Sequence, residues 1–304
     1  MYEEGRRFMS RIRWKERLFF FIKRVGQRFL QDDVSALAAE TTYYLILGIV
    51  PFLIFLINCV LFFAAPQISF ILKLLEYLPE DMAASMANNV YRIVDGRSSF
   101  LLIIGLLVAL WSASQGVDVL IRATDKAFST DRNIQDWIWV KLKSVLFTML
   151  LAFSMILSLG VMVFANAVVY ALDIYFTLPE LFIELWNLLK FVIPFVNAAM
   201  TLAVFYRYAP KFLPNEGRTP WLHTFVAAFA ITTLWMVLTA GYGYYMLQIS
   251  HMGVTYGSLV GLMVLFIWFH LSAMLIILGG ECIAAWDDQR LNFAVNERRA
   301  PQEN

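Results

Sequence analysis

Three carboxylates stand near the ends of long apolar runs, where an ionisable side chain is costly. Glu40, Asp118 and Glu281 each lie close to one end of such a run. A charge at the centre of a membrane helix costs about 2.5 kcal/mol or more, so it is retained where it pairs, faces water or binds something. Carboxylates in this setting suit a coupling cation or the headgroup of an amphiphile, and we predict that they line a substrate or ion pathway.

Other polar residues share faces with these acids. Gln115 and Arg122 recur with Asp118 at three- and four-residue spacing, on one helical face. His270 precedes Glu281 by almost three helical turns, on the same stripe. The structural alternatives are an i,i+4 ion pair of Asp118 with Arg122 and a hydrogen bond from His270 to a backbone carbonyl. The predicted pathway set is Glu281, Asp118, Gln115, Glu40, His270 and Arg122.

The elements that must position these residues are six apolar runs. Hydrophobic residues make up 60% of the 304 and charged residues 15%, unlike a soluble domain. About 20 apolar residues span a bilayer as a helix, and strand alternation is missing. The sequence predicts an all-α polytopic membrane protein with six transmembrane helices. They are placed near 41–65, 99–118, 144–172, 186–206, 222–247 and 256–284.

Lys and Arg gather in alternate connections, which predicts orientation. Nine precede the first span and five lie between the second and third, whereas the connections at 173–185 and 248–255 hold none. By the positive-inside rule both termini are predicted to be cytoplasmic, in a bacterial plasma (inner) membrane. The predicted domains are a basic helix at 1–33, a six-helix domain at 34–286 with an outer helical loop at 66–98, and a polar tail at 287–304.

Residues 8–31 form an amphipathic pattern rich in Arg and Lys. Such a helix lies in the interface and attracts anionic headgroups, so membrane lipids are the predicted partners. A simple topology anchor explains the same pattern, and no nucleic-acid motif accompanies it, so no nucleic-acid partner is predicted.

Prolines and glycines mark predicted points of bending and contact. Pro51 and Pro194 lie mid-span in the first and fourth runs, which run in opposite directions and suggest a 3+3 inverted repeat. Together with Gly279 and Gly280 they are predicted hinges or helix breaks. A four-residue glycine repeat predicts close helix packing, and a homo-oligomer or envelope protein partners could use such a face. That repeat is Gly253, Gly257 and Gly261.

Enzymatic motifs are missing from the sequence. It has no G-x-S-x-G elbow, H-E-x-x-H motif or Walker A loop, and its three histidines are dispersed. Cys59 and Cys282 fall toward opposite ends of their spans, which disfavours a disulfide. We therefore predict no catalytic residue, no metal site and no cofactor.

Several short motifs in order resemble the YihY/virulence factor BrkB family of bacterial inner-membrane proteins, over residues 30–290. The resemblance implies a multi-pass protein with cytoplasmic ends, associated with envelope integrity and serum resistance, in a family formerly labelled ribonuclease BN. Glu40 departs from the family pattern, which has a small or apolar residue there, whereas Glu281 matches it. The motifs are Ala36-Leu37-Ala38-Ala39, Tyr43-Tyr44, Pro51-Phe52, Leu110-Trp111-Ser112-Ala113-Ser114, Tyr206-Arg207-Tyr208-Ala209-Pro210, Tyr256-Gly257-Ser258-Leu259 and Leu278-Gly279-Gly280-Glu281.

The predicted function is a transporter or flippase-like carrier of a lipid or other amphiphile, with spans rocking around a polar vestibule. A non-transporting scaffold for envelope machinery is the first alternative, with the outer helices as docking surface. A ribonuclease is the second.

Overall fold

The structure is a computed structural model of the 304-residue chain. Its described residues are helical apart from short turns, and they contain no strand. The predicted all-α class is confirmed. The described ranges are 19–64, 87–88, 96, 98–128, 137–176, 179–211, 220–249 and 258–299.

One short and six long helices make up nearly all of this structure. The short helix, α1, covers described residues 19–31 and is followed by a turn at Asp32 and Asp33, where Asp33 has φ 54°. The long helices are α2 Val34–Ala64, α3 Ser99–Ala127, α4 Trp137–Phe176, α5 Glu180–Tyr208, α6 Trp221–Ile249 and α7 Ser258–Arg299.

All six long helices are long and apolar enough to cross a membrane. The predicted number and order of spans are therefore confirmed, but the helices run past the predicted ends. α4 begins at Trp137 and ends at Phe176, and α7 continues to Arg299. Hydrophobic length marks only the part inside hydrocarbon, and a helix keeps its hydrogen bonds when it extends into the interface.

The chain divides into two compact units. One comprises Met1–Thr42 and Val117–Asn304, and the other Tyr43–Gly116, so α2 and α3 contribute to both. In the first unit α4 packs on α5, α5 on α6, and α6 on α7. Its core is a set of buried side chains from α2 to α7. The largest are Tyr206, Phe205, Ile121, Ile277, Ile283 and Phe147.

Polar side chains join the spans of the first unit. The Asn197 amide of α5 donates to the Ser154 carbonyl and hydroxyl and to the Ser158 hydroxyl of α4, at 2.8–2.9 Å. Trp235 of α6 donates to the Ser272 hydroxyl of α7 at 2.9 Å. Hydrocarbon offers no competing partner, so such bonds hold membrane helices together.

In the second unit Gly105 allows α2 and α3 to touch. A Cβ at Gly105 would lie 2.8 Å from the Phe55 backbone nitrogen and 3.0 Å from the Pro51 carbonyl oxygen. Backbone atoms cannot swing aside, so only glycine fits here.

The Gly105→Ala variant is expected to lower the stability of the second unit by roughly 1–3 kcal/mol, because the added methyl forces two backbones apart. Gly48→Ala is the control, since its Cβ would meet the Ser112 side chain at 3.3 Å, where a small shift suffices. Thermal unfolding in detergent measures the difference. An unchanged unfolding temperature for Gly105→Ala would contradict this contact.

The structure corrects the predicted helix breaks. Pro51 and Pro194 lie inside continuous α2 and α5, and α7 passes Gly279 and Gly280 without interruption. A single proline removes one hydrogen bond from the ladder, and the flanking turns keep the helix intact. Hinge motion at these residues stays a prediction, as does the inverted repeat.

Candidate functional site

Glu281 is the most unusual polar residue of the described chain. Its side chain is 0% exposed, and neither carboxylate oxygen accepts a hydrogen bond from a described residue. Buried polar atoms are almost always satisfied, and a carboxylate deprived of water and donors is expensive. Such a group calls for an explanation beyond packing.

The nearest described cation comes from the N-terminal helix. Arg28 of α1 places Nη1 3.8 Å from Glu281 Oε2, and its side chain is only 13% exposed. The same Nη1 donates a 2.6 Å hydrogen bond to the Ala127 carbonyl at the end of α3. Arg28 therefore compensates the charge of Glu281 while its short hydrogen bond goes to α3.

A second carboxyl group faces Glu281. Asp32 lies one turn after Arg28, and its backbone N–H donates to the Arg28 carbonyl at 2.8 Å, so the two share a face. The charge of Lys126 on α3 also attracts the Glu281 carboxylate. Near the surface, Lys126 Nζ pairs with Asp33 Oδ2 at 3.5 Å. We call Glu281, Asp32, Arg28 and the Ala127 carbonyl the Glu281 cluster.

Two glycines next to Glu281 bring α7 tightly against its neighbours. A Cβ at Gly279 would overlap the Tyr206 hydroxyl oxygen and lie 2.6 Å from its Cζ, whereas a Cβ at Gly280 would meet the Thr124 methyl at 3.2 Å. The fully buried Tyr206 of α5 donates to the Ile276 carbonyl of α7 at 2.8 Å. These contacts fix the turn of α7 that carries Glu281.

A second group of charges joins α2, α3 and α4. Arg122 donates to Glu40 at 2.6 Å and to Asp118 at 3.3 Å, and the Ser144 hydroxyl donates to the other Asp118 oxygen at 3.3 Å. Arg122 and Glu40 are 39% and 38% exposed. We call Glu40, Arg122, Asp118 and Ser144 the Arg122 cluster. Three of the predicted pathway residues therefore lie together, with the predicted i,i+4 pair among them.

Gln115 and His270 belong to neither cluster, and several other predicted residues lie outside the described chain. Gln115 belongs to the second unit, and the buried His270 Nδ1 has no hydrogen-bond partner among described residues. A Cβ at Gly261 would meet no described atom within 4 Å. Gly253, Gly257 and nearly all of the predicted outer loop 66–98 lie outside the described residues, as do residues 8–18 of the predicted amphipathic helix.

Sequence reasoning missed three residues that define the Glu281 site. Arg28 and Asp32 belong to the segment interpreted as a membrane-surface helix, and Tyr206 was noted only as part of a motif. The i,i+4 spacing of Arg28 and Asp32 was a visible signal, but which element it faces is a tertiary fact.

A hydrogen bond joins the start of α6 to α7. The buried His223 shares a 2.9 Å hydrogen bond between Nδ1 and Asp287, and its ring stacks on Trp286. Asp125 of α3 accepts the Lys211 backbone N–H at 2.6 Å, just after α5 ends. These contacts tie neighbouring helices together.

The whole-chain comparisons identify a family. The family model described as Virulence factor BrkB matches residues 25–303. The ribonuclease-like protein YfkH of Bacillus subtilis (strain 168) is 27% identical over 262 residues, 86% of this chain and 93% of that protein. A UPF0761 membrane protein of Alteromonas mediterranea is 24% identical over 296 residues, 93% of this chain and 92% of the relative. No solved structure matched the chain.

The match extends over both charged clusters. A second UPF0761 membrane protein, from Alkalilimnicola ehrlichii, is 25% identical over 264 residues, which are 84% of this chain and 56% of that protein. The family match includes every residue of the Glu281 and Arg122 clusters and all six spans. This chain belongs to the BrkB virulence-factor family of membrane proteins.

Proposed function

We propose that this protein is a bacterial inner-membrane transporter, of the flippase-like kind, that moves a lipid or another amphiphile and so contributes to envelope integrity. The observation that carries the proposal is Glu281, a fully buried carboxylate in a candidate span whose oxygens accept no hydrogen bond from described residues. Ionisable residues kept inside a membrane mark substrate and ion pathways more often than they mark packing.

The energetic argument favours a binding role for Glu281. A carboxylate kept only for packing would be replaced without loss by an apolar side chain, which stabilises a buried site. The close packing around Gly279 and Gly280 positions the carboxylate, as a preorganised binding group requires. In the proposed cycle Glu281 binds a cationic group, because its own neighbours donate no hydrogen bond to its carboxylate.

The Arg122 cluster supplies the second part of the proposed path. Its partly exposed guanidinium and carboxylates offer both signs of charge to a headgroup. The spans themselves expose large apolar side chains on α2, α3 and α4, a surface that suits acyl chains. A headgroup moving along polar side chains while its tails stay in lipid is the mechanism we propose.

The test uses purified full-length protein in vesicles that carry fluorescent phospholipids, with leaflet exchange followed by quenching. The protein is expected to accelerate exchange over protein-free vesicles. Glu281→Gln and Asp118→Asn are each expected to slow exchange about tenfold or more, as when a charge-assisted interaction of about 1.4 kcal/mol is lost from the rate-limiting state.

The matched control is Asp33→Asn, which removes a carboxylate that is 71% exposed and paired with Lys126 at the surface. It is expected to leave exchange unchanged. Full exchange by folded Glu281→Gln and Asp118→Asn would contradict the proposal. Exchange-inactive wild-type protein that cleaves RNA would instead support the activity in the name of the Bacillus relative.

A further inference from the structure

The partly buried Asp32 shares a face of α1 with Arg28, which lies 3.8 Å from the fully buried Glu281, so the two carboxyl groups interact. Ionised carboxylates are acceptors only, so neither can satisfy the other. Like charges held together are stabilised when the pair takes up a proton or a cation. Both oxygens of Glu281 are buried, and within the described chain no N–H or hydroxyl group donates to them, so the carboxyl group of Asp32 faces acceptor lone pairs.

The surroundings add to the attraction for a positive charge. The Ala127 carbonyl belongs to the last turn of α3, where the helix dipole is negative. Among the described residues Arg28 and Lys126 are the cations whose charge reaches Glu281, and Lys126 is also paired with Asp33 near the surface. Cys282 follows Glu281 in the chain, and Tyr206 packs on Gly279. Two carboxyl groups and the negative end of the α3 dipole therefore favour a positive charge at this point.

We propose that Glu281 and Asp32 form a binding site for a small monovalent cation, an alkali ion or a proton, and that Arg28 is its built-in competitor. This inference rests on the proposed function, because the cation would be the coupling ion of transport. Arg28 stands 3.8 Å from Glu281 and keeps its 2.6 Å bond to Ala127. A cation that binds between the two carboxylates replaces Arg28 as the partner of Glu281, while Arg28 keeps its hydrogen bond to the Ala127 carbonyl of α3.

The experiment is thermal unfolding of the full-length protein in detergent at constant ionic strength, with choline replaced stepwise by Na⁺ or K⁺ and pH varied in choline alone. A ligand that binds the folded state raises the unfolding temperature in a saturable way. Wild-type protein and Asp33→Asn are expected to show this rise with one of the three cations tested, Na⁺, K⁺ or the proton. Asn is well tolerated at the positive φ of residue 33, so the control keeps its turn.

Glu281→Gln and Asp32→Asn are expected to lose the response. Arg28→Gln is expected to lower the half-saturating concentration about tenfold or more, because a charge within 4 Å of the carboxylate no longer competes. This gain of affinity cannot arise from misfolding. Equal unfolding temperatures in all salts and at all pH values, or a saturable rise that survives in Glu281→Gln, would overturn the cation site.

The two proposals fail separately. Lipid exchange that needs Glu281 without any cation response would leave the transporter standing and reject the cation site. A saturable cation response that is lost in Glu281→Gln, in protein that exchanges no lipid, would support the site and reject the lipid carrier.

Discussion

Alanine at position 279 is expected to destabilise the first unit by roughly 2–4 kcal/mol, the sum of overpacking and a lost buried hydrogen bond. The added Cβ would overlap the Tyr206 hydroxyl and lie 2.9 Å from Ile231 Cγ1. Tyr206 is 0% exposed, and its hydroxyl donates to the Ile276 carbonyl of α7, the helix that carries Gly279. Its ring therefore cannot move aside without losing this hydrogen bond.

Two other glycines of α7 calibrate this effect. Gly280→Ala meets the Thr124 methyl at 3.2 Å and should cost less, because a small shift of that side chain relieves the contact. Gly261→Ala meets nothing described within 4 Å and should be neutral or stabilising by up to about 1 kcal/mol, since alanine favours helix. Unfolding temperatures of the three variants measure the order. Equal values for positions 279 and 261 would rule out the tight contact with Tyr206.

Removal of Arg28 is the second large effect. Arg28→Ala leaves Glu281 buried and facing Asp32 without its nearest cation, and breaking a buried pair in this way costs about 3 kcal/mol or more. Lys126→Ala removes a cation from a pair that is 43% and 71% exposed, so about 1 kcal/mol or less is expected there.

The double variant separates charge from packing. Glu281→Gln in the Arg28→Ala background removes the unpaired charge, so it is expected to recover most of the lost stability. The measurement is a double-mutant cycle of unfolding free energies in buffer that contains choline in place of Na⁺ and K⁺. Additive losses would show that Arg28 acts through its aliphatic stem and its bond to Ala127 rather than through Glu281.

The spans were predictable because membrane insertion depends on hydrophobic length, a property of the sequence alone. All six appear in order, whereas their ends do not match, since Trp137 and Arg299 continue helices beyond the hydrocarbon. Helix ends depend on local hydrogen bonds that hydropathy does not record.

The candidate site was predictable only in part. Glu281 stands out because a carboxylate in an apolar run is costly wherever it packs. Arg28 was assigned to the membrane surface, because its tertiary contact with α7 has no local signature. The hinge predicted at Gly279 stays a prediction, and the room that this glycine makes for Tyr206 is a tertiary contact without a local signature in the sequence.

The ion pair between Arg28 and Glu281 also explains why α1 matters to the site. The side chain of Arg28 points inward, while Phe19, Ile22 and Leu30 on other faces of α1 are exposed. An exposed apolar face on a helix suits contact with lipid. Any change that lifts α1 from the first unit therefore removes the nearest cation from Glu281.

The most direct test of the central claim is the initial rate of lipid exchange per folded molecule, compared between Glu281→Gln and Asp33→Asn in matched vesicles. The account predicts that the Gln variant retains about one tenth or less of the rate of the Asn control. Equal rates in the two variants would contradict a functional role for the buried carboxylate.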